Sequence, residues 1–295
     1  MGLEVVLADG RAIHTGGKAI KNVTGYNLTS LFTGSEGTLG IITKILLRLI
    51  PMPKVRNTLQ LMFISLDDGC STIHTILQSG VVPASAELMD KTSIQAVARH
   101  SKLEIDPEVE ACVIIKIDGD DHTDLTKQAK QIETIARRLG VAEVRIAASP
   151  AEAEEIWNIR RGLSSAVAAM APNRLGEDIS VSRDTFPEVV RRIRTIAEKY
   201  NLTIAVYGHA GDGNIHPSIL CDLPKAGEAE RVHKAVDEIF MAALAVGGTL
   251  SGEHGIGVTK RDYIGHALGE DGVAAIKAVK QAFDPKGILN PGKIW

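Results

Sequence analysis

Apolar positions recur with two different periods along the chain, and the change of period predicts strands and helices in turn. The first strand pair is predicted from Leu3 to Leu7 and from Arg11 to His14. Ala8-Asp9-Gly10 lies between them and is typical of a hairpin turn. The chain is therefore expected to begin inside a sheet.

A glycine-rich loop from Gly34 to Gly40 separates this hairpin region from a further strand-like run, Ile41 to Ile50. The loop lacks both the dinucleotide fingerprint and the lysine of a P-loop, so taken alone it is weak evidence for a cofactor. Pro51 and Pro53 end the apolar run, and the pattern changes after them. We expect a domain boundary at this point.

From Asn57 onward, strand-like runs alternate with helical patterns, which predicts an α+β domain with helices on one face of an antiparallel sheet. The predicted strands are Leu59 to Ile64, Ala111 to Ile117, Val144 to Ala147, Ile179 to Val181, Thr203 to Tyr207 and Ile215 to Leu220. The predicted helices are Asp67 to Gln78, Lys91 to His100, Asp124 to Leu139, Pro150 to Met170, Phe186 to Tyr200, Gly227 to Ala245 and Glu270 to Ala282.

Composition narrows the class of protein. The chain has 295 residues, 44% of them hydrophobic and 23% charged, with a formal net charge of -3. These values are typical of a globular protein, provide no basic field for nucleic acid and leave no apolar run long enough for a transmembrane helix. Three widely spaced cysteines support neither a disulfide framework nor a thiolate metal site, which favours a cytoplasmic location.

The strongest chemical signal is the segment from Gly208 to His216, in which His209 and His216 flank the turn-forming residues Gly211-Asp212-Gly213-Asn214. In a hairpin the two imidazoles could face each other and share one metal ion. The alternative is a pair of surface histidines beside a turn.

A second cluster, Gly252-Glu253-His254-Gly255, favours the metal site. Glycines on both sides let the backbone approach a ligand, and two histidines with one carboxylate suit zinc or manganese while leaving positions open for substrate. His254 would then be available as a base. The alternative is a glycine-rich loop with a solvated Glu253 and His254.

Arg160 and Ser164 lie four residues apart in a helical pattern and share a face. The planar guanidinium of an arginine binds both oxygens of a carboxylate, and a serine can add a hydroxyl donor. The spacing alone favours a solvated helix face instead.

Several long motifs, taken together and in one order, resemble those of a single family. They are Lys21 to Leu28, Gly34 to Gly40, Gly208 to His216, Gly252 to Gly255 and Phe283 to Lys293. The chain resembles, over its whole length, the FAD-linked oxidase family with the vanillyl-alcohol oxidase fold. The similar branch contains glycolate oxidase D-subunits, D-lactate dehydrogenases and D-2-hydroxyglutarate dehydrogenases.

The resemblance implies three regions: residues 1–53 as the C-terminal part of a flavin-binding α+β domain, 54–282 as a ferredoxin-like substrate and metal domain, and 283–295 as a tail that returns to the flavin domain. It also implies roles for individual residues. The metal ligands are His209, His216 and Glu253, the catalytic base is His254, and the substrate is held by Arg160, Ser164 and Asn214. The FAD-binding residues are Lys21, Gly25, Tyr26, Gly34, Ser35, Gly37, Thr38, Gly40, Ile41, Ile42 and Asn290.

Three departures from the family pattern bear on the substrate and the flavin. Asn27 stands where relatives usually have aspartate, and the lysine of the hydroxyglutarate branch has no clear counterpart near Gly176-Glu177, although Arg174 is close. A small acid of the glycolate or D-lactate type is therefore expected. Relatives carry well over a hundred further residues before Gly2, including the loop for the FAD pyrophosphate, so we expect the isolated chain to bind FAD weakly or not at all.

The expected activity is FAD-dependent, metal-assisted oxidation of a D-2-hydroxy acid to the 2-keto acid. The expected partners are the substrate and an electron acceptor or respiratory subunit, with peripheral membrane association and a homodimer both left open. Two alternatives remain: a metal-dependent hydrolase, and a non-catalytic fragment that binds a metal or a partner through an exposed sheet edge.

Overall fold

The computed structural model describes residues 1–101 and 104–295. Its strands are β1 (Gly2–Val6), β2 (Ala12–Gly16), β3 (Ile41–Leu46), β4 (Val55–Phe63), β5 (Ser85–Asp90), β6 (Ala111–Gly119), β7 (Val141–Ile146), β8 (Asn173–Gly176), β9 (Ile179–Ser180), β10 (Thr203–Gly208) and β11 (Asn214–Cys221). Its helices are α1 (Leu28–Phe32), α2 (Leu66–Gln78), α3 (Lys91–Ser101), α4 (His122–Arg138), α5 (Pro150–Ala168), α6 (Phe186–Tyr200), α7 (Glu228–Ala245) and α8 (Ile264–Phe283), with a short 3-10 helix at Arg261–Tyr263 before α8.

The described residues form two compact units. Unit 1 consists of two separate segments, Met1–Met52 and Glu253–Trp295, whereas unit 2 is the continuous stretch Pro53–Gly252. The predicted division into domains 1–53, 54–282 and 283–295 stays a prediction.

Unit 1 contains a three-stranded antiparallel sheet in the order β2-β1-β3. Val5 and Phe32 are almost completely buried beneath it, and each fully buried apolar side chain of this size stabilises the fold by roughly 1.5–3 kcal/mol. The ring of Phe283 from α8 packs edge-on against Phe32, with 5.3 Å between centroids. The first and last parts of the chain therefore share one small core.

Unit 2 contains an eight-stranded sheet, in the described part of the chain, with the order β7-β4-β6-β5-β10-β11-β8 and with β9 paired to β11. All of its strand pairs are antiparallel. The central strand β6 is buried over most of its length because both of its faces are covered.

Alternate residues of β6 point to opposite faces of the sheet. Cys112 and Ile114 belong to a buried cluster with side chains of α3 and α5. On the other face, a side-chain atom added at Gly69 of α2 would lie 3.1 Å from Ala111 and 3.7 Å from Val113. Helices therefore cover both faces of the sheet. The prediction had placed them on one face only. None of the helices described is long and apolar enough to span a bilayer.

The predicted α+β class is confirmed, and most of the predicted elements appear within a few residues of their expected ends. Four short elements were not predicted: α1, β5, β8 and the 3-10 helix Arg261–Tyr263. The strand predicted from Ile41 to Ile50 ends at Leu46, and the helix predicted from Glu270 begins at Ile264.

Candidate functional site

Two histidines lie at the connection between β10 and β11. The strands pair with Tyr207 opposite His216, and His209 follows directly on β10. The two imidazole rings are 5.4 Å apart between centroids and nearly perpendicular, at 89°. The hairpin predicted from the turn-forming sequence thus brings both imidazoles together at one end of the sheet.

Backbone hydrogen bonds fix this turn. The carbonyl oxygen of His209 accepts hydrogen bonds from the amides of Asp212, at 2.9 Å, and Asn214, at 3.2 Å. The amide of Gly211 donates to the carbonyl of Ala86 in β5, at 3.0 Å. The turn is therefore anchored to a neighbouring strand of the sheet, and the position of His209 is set by backbone geometry.

Each histidine has a buried carboxylate beside its Nδ1 atom. Glu87 Oε1 lies 2.8 Å from His209 Nδ1, within hydrogen-bond distance. Asp178 Oδ1 lies 3.7 Å from His216 Nδ1, and the hydroxyl of Ser251 donates to the other oxygen of Asp178 at 2.6 Å. A carboxylate hydrogen-bonded to Nδ1, as Glu87 is to His209, favours the tautomer in which Nε2 carries the lone pair, which is the arrangement of metal-binding histidines.

The predicted carboxylate-binding arginine lies at the same end of the sheet. Arg160 of α5 donates from Nε to Glu87 Oε2 at 2.8 Å, and its guanidinium lies 5.6 Å from the centre of the Tyr207 ring. Both contacts restrict the side chain, which is only 16% exposed. The spacing-based alternative of a solvated helix face does not describe Arg160, because a charged side chain this buried is held by its partners.

Ser164 is held by a different arginine. Arg174 of β8 donates from Nη1 to both the hydroxyl of Ser164, at 2.8 Å, and its carbonyl, at 2.9 Å. Two guanidinium groups are therefore held near α5: that of Arg160 by Glu87, and that of Arg174 by Ser164.

Asn214 begins β11 and is 6% exposed. Its Oδ1 atom is buried and makes no hydrogen bond with a residue that the structure describes. An unsatisfied buried oxygen is costly and is therefore a feature expected of a ligand-binding residue. Nearby, a side-chain atom added at Gly252 would lie 2.2 Å from Asn214 Nδ2, so the chain passes Asn214 at a distance that only glycine allows.

Glu253 and His254 follow Gly252 directly in the chain and are the first residues of the second segment of unit 1. Both side chains are about half exposed, at 52% and 55%, and Glu253 Oε1 lies 3.9 Å from His254 Nε2. Their predicted roles as metal ligand and base remain predictions.

The residues expected to bind FAD all lie in unit 1. Tyr26 is almost fully exposed, whereas Thr38 is buried and its hydroxyl donates to the carbonyl of Ser35 at 2.7 Å. The side chain of Asn290 in the tail donates to the carbonyl of Glu36 at 2.5 Å. The structure therefore brings the tail to the glycine-rich loop, although the two are far apart in sequence.

Sequence reasoning missed Glu87 and Asp178. Each is a buried acidic residue, and burial of an unpaired carboxylate is strongly unfavourable. The signal that could have found Glu87 is a single acidic residue in the middle of the apolar run Ala86-Glu87-Leu88-Met89.

Several known proteins are similar to this chain. It is 40% identical over 295 residues to "Glycolate oxidase subunit GlcD" of Bacillus subtilis (strain 168), an alignment that covers 100% of this chain and 63% of that protein. It is 34% identical over 299 residues to "Probable D-lactate dehydrogenase, mitochondrial" of Danio rerio, covering 100% of this chain and 60% of that protein. The chain thus spans a little under two thirds of the length of these relatives.

The fold is similar to that of p-cresol methylhydroxylase, solved with substrate bound, with a TM-score of 0.75 at 17% identity over 99% of this chain and 64% of that one. At this identity the likeness concerns the fold alone. The family model described as "FAD linked oxidases, C-terminal domain" matches residues 52–294. Because that match covers most of the sequence, the chain belongs to the family of FAD-linked oxidases and contains their C-terminal domain.

Proposed function

We propose that the chain forms the metal- and substrate-binding part of an FAD-dependent enzyme that oxidises a small D-2-hydroxy acid to the 2-keto acid. The observation that carries the proposal is the pair of perpendicular imidazoles, His209 and His216, each with a buried carboxylate at Nδ1 and with Arg160 beside them. The names of the relatives, glycolate oxidase and D-lactate dehydrogenase, support the substrate class.

The side chains present fit a divalent metal such as zinc or manganese. Imidazole nitrogens suit both ions, and the hydrogen bond between Glu87 and His209 Nδ1 fixes the orientation and the tautomer of that ring. We assign His209, His216 and Glu253 as the ligands. Glu253 is separated by one peptide bond from Gly252, which approaches the site residue Asn214 closely.

The substrate carboxylate would be held by the guanidinium of Arg160, since a planar fork binds both of its oxygens. Ser164 would contribute through the hydroxyl that Arg174 already orients. Asn214, whose buried Oδ1 has no hydrogen-bond partner among the described residues, would line the substrate site. Arg174 already donates hydrogen bonds to Ser164, so it is less available to bind the second carboxylate of a dicarboxylic substrate. This supports a small monocarboxylate as substrate.

When bound, the metal would acidify the 2-hydroxyl and FAD would take up the hydride from C2. His254 would accept the hydroxyl proton, so that the C–H bond breaks as the carbonyl forms. The two electrons would then pass to a separate acceptor, in keeping with the word "subunit" in the name of the relative from Bacillus subtilis. The exposed Tyr26 and the meeting of Asn290 with the loop at Glu36 support unit 1 as part of the FAD site.

The proposal is tested with a hybrid in which this chain follows the N-terminal part of the Bacillus subtilis relative, the part that lies outside the 63% covered by the alignment. Anaerobic flavin reduction is measured with glycolate, D-lactate, L-lactate and D-2-hydroxyglutarate. We expect reduction by glycolate or D-lactate and much slower reduction by the other two acids. A yellow hybrid that none of the four acids reduces would refute the proposal, and ester hydrolysis by the metal-loaded chain without flavin would favour a hydrolase.

His254→Ala in the same hybrid should slow flavin reduction by on the order of a hundredfold or more, because the proton acceptor is lost while the substrate contacts remain. The affinity for D-lactate should stay nearly unchanged. His266→Ala is the matched control, since His266 is an exposed histidine of α8 in the same unit. Equal reduction rates in the two variants would remove His254 from the mechanism.

A further inference from the structure

Glu87 occupies an unusual place for an acidic residue. It lies in the middle of β5, an inner strand of the large sheet, and is 4% exposed. A buried carboxylate persists only when its charge and its hydrogen-bonding capacity are satisfied. The partners of Glu87 therefore explain why an acid occupies this position.

The two oxygens of Glu87 have different partners. Oε2 accepts a hydrogen bond from Arg160 Nε at 2.8 Å. Oε1 lies 2.8 Å from His209 Nδ1, and it also accepts a hydrogen bond from the hydroxyl of Ser85 at 2.8 Å. One carboxylate thus joins the guanidinium assigned to the substrate with an imidazole assigned to the metal.

Glu87 contacts Arg160 through Nε and His209 through Nδ1, so it orients the Nη atoms of Arg160 and the Nε2 atom of His209. Arg160 uses Nε on Glu87, and its Nη1 and Nη2 atoms make no hydrogen bond with the residues in ranges 1–101 and 104–295. For His209, a carboxylate at Nδ1 places the lone pair on Nε2 and makes that nitrogen a stronger metal ligand.

The second carboxylate of the site has other partners. Asp178 lies near the imidazole of His216, and its other oxygen accepts a hydrogen bond from the hydroxyl of Ser251. Glu87, in contrast, joins Arg160 to His209 through one carboxylate.

The geometry points to Glu87 as a positioning residue that couples carboxylate binding at Arg160 to metal binding at His209. The inference rests on the proposed function and deepens it. A single substitution at Glu87 should therefore weaken two binding events, for the metal and for the organic acid, that involve different side chains.

The test uses the 295-residue chain without flavin and two probes, Zn²⁺ measured by competition with a chromogenic chelator and D-lactate measured by calorimetry on the zinc-loaded protein. Glu87→Gln keeps the side-chain volume but removes the charge. We expect its zinc affinity to fall by roughly 10- to 100-fold, the range typical of residues that orient metal ligands. Its affinity for D-lactate should fall by on the order of tenfold, because the fork of Arg160 is no longer held by a charge-assisted hydrogen bond.

Double-mutant cycles separate this coupling from a general loss of structure. In the background of His209→Ala, adding Glu87→Gln should not lower zinc affinity further. In the background of Arg160→Met, it should not lower D-lactate affinity further. Additive losses in both backgrounds would overturn the inference.

Glu110→Gln is the matched control, because Glu110 also pairs with two cationic side chains, Lys91 and Arg194, but does not contact His209 or Arg160. It should leave both affinities unchanged. If Glu87→Gln fails to fold by circular dichroism, Glu87→Asp takes its place in the cycles, since it keeps the charge and is too short to reach both partners.

The outcomes distinguish the inference from the proposed function. A wild-type chain that binds no zinc would overturn the metal site itself. A wild-type chain that binds zinc as tightly as Glu87→Gln does would overturn the role of Glu87 and leave the metal site standing.

Discussion

Gly252 is the last residue of unit 2, and the space beside its α-carbon is already filled. A side-chain atom added there would lie 2.2 Å from Asn214 Nδ2 and 3.1 Å from Asp178 Oδ1. The first distance is far below van der Waals contact, so Asn214 or the backbone would have to move. The residue that precedes the proposed ligand Glu253 is therefore fixed by packing.

Gly252→Ala should lower the free energy of unfolding by about 1–3 kcal/mol, the usual cost of overpacking, and should also weaken zinc binding. Denaturant unfolding and the zinc competition assay measure the two effects. Gly162→Ala in α5 is the control, because nothing lies within 4 Å of its added atom; alanine there should stabilise the helix by up to about 1 kcal/mol. A destabilised Gly162→Ala together with a neutral Gly252→Ala would contradict this account.

The site was predictable from sequence only in its polar turn and loop residues. His209 and His216 flank a turn-forming sequence, so their proximity follows from local rules. Glu87 and Asp178 could not be assigned in the same way, because the arginine and histidines beside them are more than thirty residues away in the chain. Which of these side chains come into contact depends on the order of the strands in the sheet. The pairing of Ser164 with Arg174 likewise depends on the position of β8 at the edge of the sheet.

Asp90 shows how two elements are joined through a buried acid. It ends β5, and its carboxylate accepts a hydrogen bond from the amide of Ser93 in the first turn of α3, at 2.9 Å. Burial raises the pKa of Asp90 from 3.8 to about 6, against the opposing effect of the Ser93 hydrogen bonds. The folded state therefore holds a proton that the unfolded state has already released between about pH 4 and pH 6.

The sign of the resulting pH dependence follows from this difference. As pH rises from about 4 to 6, Asp90 lowers the free energy of unfolding, and above pH 6 the full penalty remains. Asp90→Asn, which can still accept the Ser93 hydrogen bond, should remove this slope and gain up to about 3 kcal/mol at pH 7. Urea unfolding at pH 4, 5, 6 and 7 measures it.

Asp121→Asn is the control for that series. Asp121 caps α4 from the surface, and its pKa is lowered, chiefly by the backbone hydrogen bond from Asp124. Its contribution is present above its unfolded pKa and is lost as pH falls, so its slope has the opposite sign. The same slope in both variants would show that burial of Asp90 is not the cause.

The elements missed by sequence reasoning were missed for identifiable reasons. β5 has the sequence Ser-Ala-Glu-Leu-Met-Asp, most of whose residues favour helices over strands. Its pairing with β6 on one side and β10 on the other overrides this local propensity. In α8, Gly269 has φ 69° and ψ 171°, which is not helical. The predicted start at Glu270 therefore coincides with the restart of the helix after this kink. The first turn from Ile264 was missed because Gly265 and Gly269 weaken the helical pattern there.

At the scale of the molecule, unit 1 depends on contacts between chain segments that are distant in sequence. Lys280 of α8 donates hydrogen bonds from Nζ to the carbonyls of Thr38, at 2.7 Å, and Leu289, at 2.8 Å. It also pairs with the carboxylate of Asp284, which is 1% exposed. One ammonium group thus ties the glycine-rich loop, the last helix and the tail together.

Lys280→Met keeps the length of the side chain but removes all three donors. We expect the tail after Asp284 to open more often, because two carbonyls lose a donor and the buried carboxylate of Asp284 keeps only backbone amides as donors. Limited digestion with proteinase K followed by mass spectrometry should show faster cleavage within residues 285–295. Lys277→Met, an exposed lysine one turn earlier in α8, should be cleaved at the wild-type rate. Equal rates in all three proteins would show that Lys280 does not hold the tail.

The discontinuous make-up of unit 1 has a consequence for biosynthesis. The segment Met1–Met52 leaves the ribosome before unit 2, and its structural complement Glu253–Trp295 leaves only after the whole of unit 2. At roughly 5–20 residues per second, the nascent segment waits on the order of 10–40 s. During that interval the apolar residues Val5 and Phe32 have no Phe283 to cover them, so chaperone engagement should concentrate on residues 1–52 until α8 has been synthesised.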